Sequence, residues 1–259
     1  ANFFKHSSYT FFMTLQKKDF IEIEFTGTVK DTGEIFDSNI KKDVEKMHEG
    51  HDHSKENHDM SAKPFIFALG EGMFLQGVDD FLIGKSPDSK DYEIDLTPEK
   101  AFGLRDPKLV QVVPIKVFYA QRINPVQGAV FNFDGRLGKI LSVNGGRVMT
   151  DFNNLLAGKN VHYKIYLKRK VTDINEKVKA MFDFFFRQEF KFSVKDKKLI
   201  VELSEKDNKQ KGLSQFLVLF KDKFKEIVDL DLEVNELSIE NKKEISDKVK
   251  EKVSEATKK

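Results

Sequence analysis

The sequence predicts an α+β protein: a small antiparallel sheet domain with a second β-rich module in its middle, followed by a mixed helix–strand module. Three observations carry this. "DFIEIEFTGTVK" (19–30) and "NVHYKIYLKRKV" (160–171) alternate apolar and polar residues at the period of a strand. Between them, "DGRL" and "NGG" join the short apolar runs "AVFNF", "GKILSV" and "RVMTDF", and Asp-Gly and Asn-Gly are strong hairpin signals. After Thr172 the period changes: "INEKVKAMFDFFF" places Val178, Met181, Phe182 and Phe185 on one helical face.

The elements follow in order. "KDTG" turns the first strand, and "EIFDS" pairs back as a second. A polar stretch from Ile40 to Ala62 precedes the apolar strand "PFIFAL". "VDDFLIGKS" reads as a short helix that stops at Gly84, and "SKDYEIDL" (89–96) alternates again as a strand. Beyond 172, "FKFSVKDKKLIVELS" reads as a hairpin, "QKGLSQFLVLFKDKFKEIV" as one helix and "LDLEVNELSI" as a last strand. The expected organisation is an N-terminal extension (1–18), a sheet domain (19–103 and 151–171), an insert (104–150), a C-terminal α+β domain (172–238) and a charged tail (239–259). Met13 is a plausible start, with 1–12 an extension.

Composition excludes several functions. A chain of 259 residues exceeds one small core, so two or three modules are expected. Lys and Arg number 44 against 42 Asp and Glu, which carries no signature of nucleic acid or membrane binding. There is no cysteine, so disulfides, thiolate catalysis and thiolate zinc sites are all excluded; this fits a cytoplasmic location. No apolar run approaches the ~20 residues of a membrane span.

The segment "KPFIFALGEGMFLQGVDDFLIG" (63–84) is rich in Phe and Leu and lacks His, Cys and Ser. Any chemistry it serves needs neither nucleophile nor proton shuttle. "FTGTVKDTGEIFDS", "PFIFALGEGMFLQGVDDFLIG" and "TPEKAFG" resemble, in order and spacing, an FKBP-type peptidyl-prolyl isomerase. The insertion after "AFG" and the later "DFNNLLAGKNVHYKI" resemble the SlyD-like branch with its insert-in-flap domain, and most closely long archaeal members with an extra C-terminal domain. The resemblance covers 19–171 strongly and 172–238 only by position and pattern. It implies a half-barrel sheet wrapped on a short helix, and prolyl isomerase activity with no required cofactor.

It also implies the pocket residues Phe25, Phe36, Asp37, Phe65, Phe74, Leu75, Val78, Phe102, Leu155 and Tyr163, with Leu156 beside them. Two departures stand out. Phe25 and Phe102 sit where the family often has Tyr, and "NNLLAG" replaces "NHPLAG", so Asn154 stands for His and Leu155 for Pro. By the same resemblance the insert binds unfolded, proline-containing polypeptides, through Val112, Val113, Ile115, Val117, Phe118 and Tyr119. The competing reading of that run is the insert's own core. A chaperone with a weak pocket is the alternative function.

"MHEGHDHSKENHD" brings His48, His51, His53 and His58 together on one loop, a candidate for Zn²⁺ or Ni²⁺; the alternative is a solvated loop without regular ligand spacing. The helix around Phe182, Phe184, Phe185 and Phe186 is apolar on more than one face. A homodimer through the C-terminal domain and a plain core both account for it.

Overall fold

The computed structural model describes residues 14–48, 63–87, 91–133, 135–204, 207 and 212–236. The strands and helices alternate as an α+β fold. Strand β1 (Phe20–Val29) is buried along nearly its whole length, with Phe20, Ile21, Ile23, Phe25 and Val29 all in the core. It is an inner strand of its sheet, whose order is β2 (Ile35–Ser38), β1, β9 (Val161–Val171), β4 (Asp91–Leu96), and β3 (Phe65–Ala68) also pairs with β1. The predicted alternation holds from Ile21 to Phe25, where buried Ile21, Ile23 and Phe25 interleave with partly exposed Glu22 and Glu24.

β2 (Ile35–Ser38) runs antiparallel to β1 with a register irregularity between Gly27 and Thr28. β3 spans Phe65–Ala68, β4 Asp91–Leu96 and β9 Val161–Val171. β9 keeps the predicted alternation, burying Val161, Tyr163, Ile165 and Leu167 while intervening residues face outward. The polar stretch after β2 opens with a helix, α1 (Lys41–His48), that the sequence reading did not anticipate.

Helix α2 (Gln76–Leu82) buries Gly77, Val78, Asp79 and Leu82. It ends where expected: Gly84 has φ +86°, a left-handed conformation that glycine adopts without steric cost. Gly77 is required by packing, because a Cβ there would stand 2.6 Å from Leu96 Cδ2 and 2.7 Å from the Lys100 carbonyl.

The insert is a separate antiparallel sheet in the order β5-β8-β7-β6. It comprises β5 (Val110–Pro114), helix α3 (Ile115–Ala120), β6 (Val130–Phe133), β7 (Arg136–Asn144) and β8 (Arg147–Asp151). Asn144 pairs with Arg147 across a two-residue turn whose Gly145 and Gly146 both have positive φ. This is the backbone that matches the twist of a tight hairpin, and "NGG" signals it. Phe118, Ile140 and Val148 form the core of the insert, with Val113, Ile115, Ile123, Phe131 and Phe133 packed against it.

The C-terminal region starts with α4 (Ile174–Phe186), capped by the Asp173 carboxylate, which accepts from the Glu176 N–H at 2.9 Å. Strands β10 (Lys191–Lys195) and β11 (Lys198–Leu203) form the expected hairpin. The expected single helix is instead two, α5 (Leu213–Leu219) and α6 (Lys221–Val228), separated at Phe220, whose ring packs on Phe185, Phe186 and Phe216. β12 (Asp231–Glu236) then pairs parallel to β11, so the two helices form a crossover.

By contacts the chain divides into two compact units. One holds Ile23–Phe65 and Phe74–Lys168; the other holds Gln16–Glu22, Ile66–Met73 and the residues from Arg169 onward. Strands β1, β3 and β9 each contribute to both. No helix among the described residues is long and apolar enough to cross a membrane.

Candidate active site

The first unit contains a box of six aromatic rings drawn from six parts of the chain. Phe25 comes from β1, Phe36 from β2, Phe65 from β3, Phe74 from the turn before α2, Phe102 from the segment after β4, and Tyr163 from β9. Phe25 lies 5.0 Å from Phe74, 6.0 Å from Tyr163 and 6.4 Å from Phe65 between ring centroids. Phe36 meets Phe102 at 5.4 Å and Tyr163 at 5.7 Å, both edge to face. Phe65–Phe74 (5.6 Å) and Phe74–Tyr163 (5.7 Å) close the ring of contacts. These are the separations at which aromatic pairs attract through their quadrupoles.

Burial grades across the box. Phe25 and Tyr163 are buried, and Phe36, Phe65, Phe74 and Phe102 are half-buried; Val78 on α2 is wholly buried and Leu75, next to Phe74 in sequence, half-buried. Phe25 and Tyr163 are thus sealed from solvent, while the half-buried rings each keep an exposed edge. Two polar groups sit with these rings. Asp37 keeps an exposed edge, yet burial among its neighbours raises its carboxyl above the ordinary 3.8, opposed by a hydrogen bond from the Ser38 backbone. Burial also pushes the Tyr163 phenol up, and the charge of Asp37 adds to the shift, so Tyr163 stays a hydroxyl at neutral pH.

Residues absent from the sequence-derived set hold this geometry. Gly27 is one: a Cβ there would lie 2.8 Å from Phe36 Cζ and 3.0 Å from Tyr163 Cε1. Asn39 is another. Its Oδ1 accepts from the Phe25 N–H at 2.7 Å, and its Nδ2 donates to the carbonyls of Ile23 (3.0 Å) and Lys63 (3.1 Å). One amide thus ties together three chain segments behind the box. Gly27 lies inside the motif "FTGTVK", which was a usable signal; nothing in the spacing around Asn39 marks it.

A cleft of about 650 Å³ adjoins the box. Phe36 belongs to both, and Leu155 and Leu156 line the cleft opposite residues of β6 and β7 of the insert. Leu155 is exposed and is placed in this cleft, away from the ring contacts of the box. The loop 152–158 that carries it is anchored by Asn153. The Asn153 side chain accepts from the Asp106 N–H (2.8 Å) and donates to the Asp106 carbonyl (3.0 Å) and to Asp151 Oδ1 (2.7 Å). Arg105 also pairs with Asp151. Burial alone would raise the Asp151 carboxyl, but the Asn153 and Arg105 hydrogen bonds outweigh it and hold the group below its ordinary range. The two strands of chain that enter and leave the insert are stitched together here.

In the insert, the apolar run divides between the two readings it was given. Val112 (56% exposed), Tyr119 (57%) and Val117 (37%) lie at the surface. Phe118 is 1% exposed and belongs to the insert's core, with Val113 and Ile115 packed on it, because a module this small needs its largest ring inside. His51, His53 and His58 lie outside the described residues, as does the side chain of His48. No cluster of metal-ligating side chains forms among the described residues.

Comparison with known proteins accords with this architecture. Residues 13–132 match the family model "FKBP-type peptidyl-prolyl cis-trans isomerase", and 111–156 match "FKBP26, IF domain". The chain is 28% identical over 160 residues to the short-type peptidyl-prolyl cis-trans isomerase of Methanocaldococcus jannaschii, covering 62% of this chain and 94% of that one. It is 34% identical over 110 residues to the FKBP-type 16 kDa peptidyl-prolyl cis-trans isomerase of Escherichia coli, covering 40% of this chain and 72% of the relative. With the SlyD isomerase of Aeromonas hydrophila it shares 25% identity over 150 residues, 57% of this chain and 60% of the other. The chain belongs to the FKBP-type peptidyl-prolyl cis-trans isomerase family, as a SlyD-like member carrying an inserted IF domain.

Proposed function

We propose that the aromatic box is the pocket in which Xaa-Pro bonds rotate, and that the insert delivers unfolded chains to it. Rotation about the peptide bond is slow because amide resonance must be broken, a barrier of ~18–20 kcal/mol. In the twisted amide that conjugation is lost, and with it part of the dipole that water stabilises. A dry aromatic pocket therefore favours the twisted state over the planar one. No acid, base or nucleophile is needed, which accords with a site built from phenylalanine.

One observation carries the reading: six rings from separate elements meet in one cluster that includes the buried Tyr163, with the partly desolvated Asp37 beside it and Phe36 shared between box and cleft. Phe25 and Phe102 leave Tyr163 as the hydroxyl of the box, so substrate carbonyls have few donors to meet. Exposed Val112, Val117 and Tyr119 supply the insert with apolar surface for an extended chain. Tethering raises the effective concentration of proline sites at the pocket, to the order of millimolar for a short connection. Self-association through the C-terminal domain belongs to the same proposal: Phe216, Val218 and Leu219 are exposed on α5. Sedimentation of wild type against Leu219→Lys checks it.

The test of the pocket is cis/trans exchange of an Ala-Leu-Pro-type peptide, followed by NMR. Acceleration by the wild type that is lost in both Phe65→Ala and Asp37→Ala supports the box as the catalytic pocket. Acceleration that survives both variants refutes it.

A further inference from the structure

We infer that the cleft between box and insert selects substrate chains that carry an acidic side chain a few residues from the proline. This deepens the reading above and rests on it. At about 650 Å³ the cleft lies within the ~300–1,000 Å³ range of ligand sites, enough for a short stretch of polypeptide. Its wall is not neutral. Arg136 and Lys139 from β7 and Lys159 from the loop before β9 face it, against the single carboxylate of Glu34. The chain as a whole is almost balanced, with 44 basic and 42 acidic residues, so this is a local excess of positive charge.

Among the described residues, none of the three cations has an ion-pair partner. The Arg136 guanidinium lies over the Phe152 ring, 4.7 Å from its centroid, a contact that does not neutralise its charge. Lys139 and Lys159 make no ion pair with any described residue, although lysines on the sheet domain's outer face, such as Lys168 with Glu24 at 2.9 Å, are paired. Because Phe36 also lines the cleft, a chain whose proline sits against that ring runs on past the basic wall within a few residues. An acidic side chain there meets several cations in a partly enclosed space, and a basic one is repelled.

The experiment uses the full-length protein and a set of Ala-Leu-Pro-Phe peptides with Glu, Ala or Lys at the second to fourth residue beyond the core on either side. We expect kcat/KM for the best Glu peptide to exceed its Lys counterpart roughly fivefold at about 10 mM salt, where the Debye length is ~30 Å. At about 1 M salt, where it is ~3 Å, the ratio falls close to one. The double variant K139E/K159E inverts the order at low salt. Equal kcat/KM for all three peptides in the wild type at low salt overturns the inference while leaving the isomerase pocket intact. So does a Glu preference that ignores both salt and the charge reversal. Failure to accelerate any peptide overturns the pocket reading as well.

Discussion

Phenylalanines cluster in the box and again in the C-terminal domain, and of these two clusters only the first has the makings of a site. In the box, ring centroids lie 5.0 to 6.4 Å apart. In the C-terminal domain, Phe182 meets Phe190, Phe192 and Phe224 at 5.0, 5.7 and 5.1 Å, while Phe186, Phe216 and Phe220 form a second group with spacings of 4.9 to 5.5 Å. Ring spacing therefore distinguishes nothing. Burial and polarity do. Phe182 and Phe224 are sealed within a core that includes Val178, Met181, Leu199 and Val201. The box keeps four half-buried rings, a partly desolvated carboxylate and a buried hydroxyl. A pocket is a core left open on one side, with a few polar groups placed where a ligand would pass.

The largest effect should separate the two clusters directly. Phe182→Ala should cost ~3–5 kcal/mol of stability, as for a fully buried ring in a core, while leaving peptide isomerisation by the folded fraction unchanged. Phe36→Ala should do the opposite. Its ring is half-buried, so stability falls by only ~1–2 kcal/mol, whereas kcat/KM drops by about tenfold or more, ~1.4 kcal/mol of transition-state stabilisation per tenfold. Denaturant melts and NMR exchange on both variants settle it; matching profiles would erase the distinction.

Gly27→Ala should come next. Its new methyl group must push aside Phe36 and Tyr163 together, and overpacking of this kind costs ~1–3 kcal/mol. Activity should fall along with stability, because the displaced rings are those of the box. A variant with wild-type exchange rates would show that the Phe36–Tyr163 contact is not required.

Asp37→Asn sharpens the comparison by pH. The native carboxyl is raised above 3.8, so the folded state holds its proton more tightly than the unfolded chain. Its contribution to stability is thus most favourable below the unfolded pKa and declines as pH rises through the native one. Asp37→Asn should therefore raise the melting temperature at neutral pH, with the gain vanishing in acid. A gain that persisted at low pH would point to some cause other than the desolvated charge. The smallest effect belongs to the C-terminal domain. Asp196 and Lys197 form the β10–β11 turn at φ +46° and +62°. Lys197→Gly removes left-handed strain of ~1–2 kcal/mol and loses only a solvent-exposed ion pair with Asp229, which contributes little. The expected result is a slight rise in melting temperature and no change in isomerase activity.

Where the physics was local, the sequence was legible. The alternation of β9, the glycine stop after α2 and the "NGG" hairpin each follow from a residue's own conformational preference. The β10–β11 hairpin was also visible, although its turn, "KDKK", lacks the expected glycine. The break at Phe220 was hidden, because continuous helical periodicity runs through it and a ring packing against Phe185 and Phe186 accompanies the turn. Parallel pairing of β11 with β12 was equally invisible, since a strand's own sequence does not state its partner's direction. At the site, the ordered motifs pointed to Phe25, Phe36, Phe65, Phe74 and Tyr163, but Asn39 and Asn153 act through backbone groups distant in sequence and carry no pattern of their own.

The sequence by itself determined the classes of structure and chemistry available: strands, hairpins, capped helices, no thiol, and a family signature spread through the sheet domain. Tertiary structure decided how open each cluster of phenylalanines is, leaving the box rings half-buried and sealing Phe182 and Phe224, and it divided the run 112–119 between the surface of the insert and its interior. It also placed Arg136, Lys139 and Lys159 around one cleft. The physical reason is that hydrophobicity is non-directional. It says that a ring will leave water, and only the packed chain says beside what.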